Sequence, residues 1–125
     1  MTLARILVAD DEKDIRTFTN RILTHEGYDV TLAEDGEQAI EYMKHNDYDL
    51  IILDIMMPNK NGIEVVHFMK KDERLQKVPI LLFSDSGPIN NLTIEVKDMV
   101  DAYFRKPFMR KEFLQIVEKL VHKAE

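Results

Sequence analysis

The chain has 125 residues and a formal net charge of −6. Its composition, with 45% hydrophobic and 32% charged residues, is typical of a folded globular protein. The absence of cysteine excludes disulfides, zinc–thiolate sites and cysteine nucleophiles. The acidic charge disfavours direct nucleic-acid or membrane binding, and every apolar run is far shorter than the roughly 20 residues that span a bilayer. Because the N-terminus also lacks a signal-peptide pattern, we expect one cytoplasmic domain over residues 1–125.

Five apolar runs predict the strands of the fold. Three of them are continuous and end abruptly at a polar residue, which is typical of strands buried on both faces of a parallel sheet. The second run alternates and the fifth is short, which favours positions at or near the edges. The predicted strands are Ile6–Ala9, Tyr28–Ala33, Leu50–Leu53, Val78–Phe83 and Asp101–Phe104.

Helical periodicity fills the segments between these runs. Four helices are well patterned: one ends before Gly27, one follows Gly36, one starts at Gly62, and the last carries an apolar stripe over residues 113–120. A fifth segment, Pro88 to Met99, is weaker. Its proline suits a first helical position, but its asparagines and β-branched residues are poor helix formers.

Five strand-then-helix units predict an α/β fold, in which a parallel sheet with right-handed crossovers carries helices on both faces. Ligands bind such sheets beyond the carboxyl ends of the strands. The candidate site residues at these ends are Asp10, Asp11, Asp54 and Ser84, with Lys106 after the last strand. A parallel sheet would bring all of them to one edge.

This set of side chains suits phosphoryl transfer. Neighbouring carboxylates repel each other unless a cation offsets their charge. Lys106 is one candidate cation, and a divalent ion such as Mg2+, which binds carboxylates together with waters and phosphate oxygens, is the other. The cations would neutralise the phosphoryl oxygens while one carboxylate acts as nucleophile.

Short motifs stand at or just beyond the predicted strand ends: Val8-Ala9-Asp10-Asp11-Glu12, Leu53-Asp54-Ile55-Met56-Met57-Pro58, Asn61-Gly62, Ser84 and Tyr103-Phe104-Arg105-Lys106-Pro107-Phe108. In these motifs, and over essentially its whole length, the chain resembles the CheY-like receiver domains of bacterial two-component response regulators. Each motif is a modest signal, but their order is specific. The resemblance implies a single doubly wound domain with five parallel strands in the order 2-1-3-4-5, as in flavodoxin.

The resemblance also implies the roles of the acidic residues. Asp54 would accept a phosphoryl group from the phosphohistidine of a histidine kinase. Mg2+, which Mn2+ can replace, would be held by Asp11, Asp54 and the backbone carbonyl of Met56. Asp10 would contribute partly through water. Lys106 would pair with Asp54 before phosphorylation and with a phosphoryl oxygen afterwards.

Three further roles are implied on the fourth and fifth strands. The hydroxyl of Ser84 would donate to a phosphoryl oxygen, although serine is also common in turns. Tyr103 would turn inward when Ser84 moves towards the phosphate; the alternative is an ordinary half-buried tyrosine. Pro107 would supply a cis peptide that aims the lysine before it, since X-Pro is where a cis bond costs little.

Two features depart from the family pattern. Asp85 stands where the family usually has a small residue, and a carboxylate there would repel a phosphoryl group unless it points into solvent. We expect it to slow phosphorylation or to change the phosphoryl lifetime. Met99-Val100 replaces the usual Gly-Ala pair before the last strand, which leaves the shape of the fourth predicted helix open.

Enzymes on the same architecture are the alternative function. An aspartyl-phosphate phosphatase would need an aspartate two residues beyond the nucleophile, where Met56 stands. A flavin site would need a Ser-, Thr- or Gly-rich loop after the first strand, whereas the acidic run there would repel a phosphate. We therefore predict a signalling phosphoacceptor with at most self-catalysed transfer and slow autodephosphorylation.

The expected partners are proteins. A sensor histidine kinase or a histidine phosphotransfer protein would supply the phosphoryl group. The output would be a protein target or a second copy of the chain, docked on the face formed by the fourth predicted helix, the fifth strand and the fifth helix. The sequence leaves open whether the receiver is free-standing or part of a larger regulator.

Overall fold

The strands of the computed structural model are β1 Arg5–Ala9, β2 Asp29–Ala33, β3 Leu50–Asp54, β4 Ile80–Ser84 and β5 Ala102–Arg105. They form one parallel sheet in the order β2-β1-β3-β4-β5, which confirms the predicted fold class and strand order. The structure describes residues 3–84, 97–106 and 108–123. The fourth strand begins at Ile80 rather than Val78, after a proline that has no N–H to donate to the sheet.

Four helices lie in these described ranges: α1 Lys13–His25, α2 Gly36–His45, α3 Gly62–Lys70 and the C-terminal helix Arg110–Lys123. They correspond to the four well-patterned helices of the prediction. Residues 88–96 of the weaker predicted helix, Pro88 to Met99, lie outside the described residues, and residues 97–99 form a turn. None of the helices described is long and apolar enough to cross a bilayer.

A hydrophobic core covers each face of the sheet, because side chains alternate along every strand. On β1, Leu7 and Ala9 join the core that α2 and α3 cover. Ile6 and Val8 face the opposite core, which α1 and the C-terminal helix cover. The central strand β3 is buried along its whole length, whereas β2 and β5 at the edges are partly exposed. The predicted difference between central and edge strands is confirmed.

Side-chain caps fix where α2 and α3 begin. Asp35 accepts a hydrogen bond from the backbone N–H of Gln38 at 2.8 Å. Asn61 and Glu64 form a reciprocal capping box, with distances of 2.9 and 3.2 Å. These caps end the loops that follow β2 and β3, at the same edge of the sheet as the polar strand ends.

Candidate functional site

The carboxyl ends of β3, β4 and β5 bring the predicted site residues to one edge of the sheet. Asp54 at the end of β3 pairs in register with Phe83 of β4. Ser84 at the end of β4 pairs with Arg105 of β5, and its carbonyl accepts the backbone N–H of Lys106 at 2.7 Å. The side chains predicted from strand ends therefore do share one edge.

Lys106 follows β5 and is only 7% exposed, and its ammonium group lies among three acidic side chains. Its Nζ is 2.8 Å from Asp10 Oδ2, 2.9 Å from Glu12 Oε1 and 3.4 Å from Asp54 Oδ2. Burial lowers the pKa of Lys106, but the contacts with Asp10 and Glu12 and the charge of Asp54 more than offset it. The pKa is therefore raised above its ordinary value, and the ammonium stays charged.

Asp54 is almost fully buried at the end of the central strand. Burial, and next the charge of Asp10, raise the pKa of Asp54 to about 7, although Lys106 opposes the shift. A cation that entered the site would lower this pKa again, because it would stabilise the charged carboxylate.

Asp10 is completely buried and offers an oxygen to this edge. Its Oδ1 accepts the N–H of Glu12 at 2.9 Å, and its carbonyl accepts a hydrogen bond from Arg16 Nη1 at 2.8 Å. Its Oδ2 lies 2.8 Å from the ammonium of Lys106, which offsets part of its charge. A carboxylate oxygen has two lone pairs, so Oδ2 can accept a second partner such as a metal ion.

The acids that the structure groups differ in one member from those predicted. One carboxylate oxygen from each of Asp10, Glu12 and Asp54 lies within 4.8 Å of the others. Hard carboxylate oxygens of this kind are the ligands that Mg2+ takes, so the residues present fit the ion. Asp11 is exposed and lies outside this group, although its charge contributes to the raised pKa of Asp54. Glu12 was missed as a site residue, because its contact with Lys106 joins residues that are far apart in the sequence.

The loop after β3 carries the predicted carbonyl ligand, Met56, whose side chain is exposed. Gly62 closes this loop at the start of α3, where its N–H donates to the carbonyl of Ile55 at 2.8 Å. A Cβ on Gly62 would lie 2.4 Å from the carbonyl oxygen of Asp54, so only glycine allows α3 to approach the end of β3 this closely.

Ser84 and Tyr103 meet beside the acids. Their hydroxyl groups form a hydrogen bond to each other, in which either oxygen can be the donor. Tyr103 is partly buried and packs against the core shared with α2 and α3. The tyrosine thus already points towards Ser84, and its role as a switch stays a prediction. Pro107 and Asp85 lie outside the described residues.

Comparisons with known proteins place this geometry in a family. Residues 6–118 match the family model described as "Response regulator receiver domain". The chain is 31% identical over 121 residues to the response regulator ArlR of Staphylococcus saprophyticus, covering 97% of this chain and 54% of ArlR. It is 36% identical to the CAI-1 autoinducer sensor kinase/phosphatase CqsS of Vibrio cholerae, covering 90% of this chain and 17% of CqsS. The chain thus spans about half of the first relative and a smaller part of the second.

Solved structures show the same likeness. The receiver domain of the Francisella response regulator 1452 superposes with a TM-score of 0.87 at 31% identity, covering 98% of this chain and 99% of that one. The chemotaxis protein CheY4 of Vibrio cholerae has the same TM-score at 27% identity, covering 95% of this chain and 99% of that one.

These matches do not favour the alternative of a flavin-binding or phosphatase enzyme. Receiver domains are signalling phosphoacceptors rather than conventional enzymes, and they interact with histidine kinases or phosphotransfer proteins. The chain belongs to the response regulator receiver domain family.

Proposed function

We propose that Asp54 is the phosphoacceptor of this receiver domain. The observation that carries the proposal is a nearly buried carboxylate at the end of the central strand, 3.4 Å from the ammonium of Lys106. An oxygen of Asp54 attacks the phosphorus of a phosphohistidine. The new O–P bond forms while the P–N bond breaks, and its electron pair leaves with the imidazole nitrogen.

The chain's own acids would hold Mg2+, with Mn2+ as a substitute. Asp10, Asp11 and Asp54 would supply carboxylate oxygens, and Met56 its backbone carbonyl. The bound ion would neutralise charge on the phosphoryl oxygens. The close grouping of carboxylate oxygens from Asp10, Glu12 and Asp54 supports a cation at this edge of the sheet. Glu12 keeps its contact with Lys106 in this scheme.

Cations and hydroxyls then stabilise the phosphorylated state. Lys106 moves from Asp54 to a phosphoryl oxygen, and the Ser84 hydroxyl donates to another. Tyr103 can remain bonded to Ser84 by becoming the donor in their hydrogen bond, because a hydroxyl both donates and accepts. The peptide before Pro107 would be cis and would aim the ammonium group.

The wider setting belongs to the same proposal. A domain spanning residues 1–125 in the cytoplasm would receive the phosphoryl group from a sensor histidine kinase or a phosphotransfer protein, and would lose it by slow autodephosphorylation. Its output would be a protein target or a second copy of the chain, bound on the side of β5 and the C-terminal helix. The net charge of −6 argues against nucleic acid or an anionic membrane as the direct target.

Labelling with acetyl phosphate tests this function. With Mg2+, the wild-type protein should gain one hydroxylamine-sensitive phosphoryl group, and a chelator should prevent it. Asp54→Asn should abolish labelling, because an amide is not a nucleophile for this transfer. Asp47→Asn, which changes an exposed aspartate elsewhere, is the matched control and should label normally. Stoichiometric labelling of the Asp54→Asn protein would disprove the assignment.

A further inference from the structure

We propose that Asp35 is a positioning residue for the ion site, acting through its contact with Asn59. This inference rests on the proposed function, because it concerns the loop that carries the Met56 carbonyl. Asp35 touches none of the described acids; it acts on the backbone that presents the carbonyl.

The loop between β3 and α3 is attached to the rest of the molecule at both ends and at its tip. At its ends, the N–H of Ile55 donates to the carbonyl of Phe83 at 2.9 Å, and the N–H of Gly62 donates to the carbonyl of Ile55 at 2.8 Å. At its tip, Asn59 has a left-handed backbone with φ of 66°, and its Nδ2 donates to Asp35 Oδ2 at 2.6 Å. The position of Met56 therefore depends on where the tip is held.

A backbone contact holds the tip against the start of α2 as well. The N–H of Gly36 donates to the carbonyl of Lys60 at 3.1 Å. A Cβ on Gly36 would lie 2.1 Å from that same carbonyl oxygen, so this close approach requires glycine. The side-chain contact of Asp35 and the backbone contact of Gly36 are adjacent and act on the same loop tip.

The same segment also contacts the loop after β1. The N–H of Asp10 donates to the carbonyl of Ala33 at 3.1 Å. Arg16 joins the two loops, since its Nη1 donates to the Asp10 carbonyl at 2.8 Å while its Nη2 lies 3.7 Å from Glu34 Oε1. Residues 33–36 therefore touch the backbones on both sides of the proposed ion site, and they set the distance between the Asp10 carboxylate and the Met56 carbonyl.

Two substitutions remove the side-chain contact with little other damage. Asn59→Gly keeps a residue that adopts positive φ readily. Asp35→Ser keeps an oxygen that can cap α2 but is too short to reach Asn59. Asp72→Ser is the matched control, because Asp72 accepts backbone N–H bonds in the turn after α3, beyond the far end of that helix. The double variant Asp35→Ser/Asn59→Gly completes a thermodynamic cycle.

We expect each single variant to raise the Mg2+ dissociation constant about fivefold, as the loss of one hydrogen bond to a charged group on the surface implies. The Mg2+ dissociation constant of the double variant should be no higher than that of either single variant, and that of Asp72→Ser should match the wild type. Labelling of Asp54 by acetyl phosphate at saturating Mg2+ should stay within about twofold of wild type, because the reacting groups are untouched.

Calorimetric Mg2+ titration, labelling at saturating Mg2+ and urea unfolding together decide the outcome. Unchanged Mg2+ affinity in both singles, or additive losses in the double variant, would overturn the positioning role. A loss of affinity shared by Asp72→Ser would also overturn it, by revealing a general effect on stability. Failure of the proposed function looks different: the wild type would bind Mg2+ and show the cycle yet gain no phosphoryl group on Asp54.

Discussion

The ammonium of Lys106 is shared among three carboxylates, and the distances rank its partners. Asp10 and Glu12 lie closer to it than Asp54 does, at 2.8 and 2.9 Å against 3.4 Å. The Glu12 side chain is half exposed, so water screens its attraction and the pair is easily broken. In the unphosphorylated protein, Lys106 is thus held beside Asp54 without closing on it, and it can move to a phosphoryl oxygen.

Asp11 and Glu12 should differ in their effect on Mg2+ binding. Asp11→Ala should raise the Mg2+ dissociation constant about 10- to 100-fold, because it would remove a proposed ligand and its negative charge from partly screened surroundings. Glu12→Gln should change this dissociation constant by less than about twofold, because Glu12 contacts Lys106 and is not a proposed ligand of the ion. Titration calorimetry of both variants measures this difference. The reverse order would identify Glu12 as the ligand in place of Asp11.

The raised pKa of Asp54 predicts a pH-dependent cost to stability. Its folded-state pKa of about 7 exceeds the ordinary value of 3.8, so between about pH 4 and 7 the folded protein binds more protons than the unfolded chain. Stability contributed by this group therefore falls as the pH rises through that window. Without Mg2+, from pH 5 to pH 8 the wild type should lose about 1–3 kcal/mol relative to Asp54→Asn.

Urea unfolding of both proteins at pH 5 and pH 8, with a chelator present, measures this loss. Titrating groups far from Asp54 are common to the two proteins and cancel, so the difference reports Asp54 together with the acids that interact with it. Lys106 does not interfere, because its raised pKa keeps it charged throughout this range. Parallel stability curves for the wild type and Asp54→Asn would contradict a raised pKa for Asp54.

Site residues at strand ends were predictable from the sequence, whereas Glu12 was not. Asp10, Asp54 and Ser84 stand at the ends of buried apolar runs. Lys106 follows the shorter, partly exposed β5, and a parallel sheet collects all these ends at one edge. The role of Glu12 depends on the direction that its side chain takes at the N-terminus of α1, where it makes no capping bond and reaches Lys106 instead. That direction is set by tertiary structure, which a local pattern does not contain.

Among the elements, the continuous apolar strands were the most predictable. Strands buried on both faces are apolar along nearly their whole length, so β1, β3 and β4 stand out in the sequence as continuous apolar runs. The helix starts were also close to the prediction. The helix α3 begins at Gly62 as predicted, and α2 begins at Gly36 rather than after it, since Asp35 caps it there.

Gly62 connects element packing to the site, and its replacement should affect both. Gly62→Ala would put a Cβ 2.4 Å from the Asp54 carbonyl oxygen, so α3 must move away from β3. We expect the free energy of unfolding to fall by about 2–4 kcal/mol, which is at or above the usual cost of overpacking a core. Labelling of Asp54 should also become slower. Urea unfolding and acetyl phosphate labelling measure the two effects.

Gly27→Ala is the matched control for this change. Gly27 has φ of 92° but nothing within 4 Å of a Cβ, so its replacement adds backbone strain without a clash. It should cost about 1 kcal/mol and leave labelling unchanged. Equal losses of labelling in the two variants would show that the contact with Asp54 has no special importance.

At the scale of the whole molecule, the site lies on strands that separate two cores. Tyr103 on β5 packs against the core shared with α2 and α3, and its hydroxyl bonds to Ser84 at the site. An acyl phosphate on Asp54 carries about two negative charges in place of the single charge of the carboxylate, and Ser84 and Lys106 must move to meet its oxygens. Ser84 ends β4 and Lys106 follows β5, and both strands lie on the same side of β3, so that side is displaced first.

This direction of displacement predicts which surface changes on activation. Binding of a beryllofluoride phosphoryl mimic should shift backbone NMR signals of residues 97–106 more than those of α2, and should raise affinity for a protein partner or for a second copy. Tyr103→Ala should weaken that response while Asp54 still labels, because the tyrosine transmits the change without touching the reacting atoms. Tyr103→Phe keeps the packing and isolates the hydroxyl, and Tyr42→Ala, at an exposed position on α2, is the control. Shifts concentrated on α2 would contradict this output face.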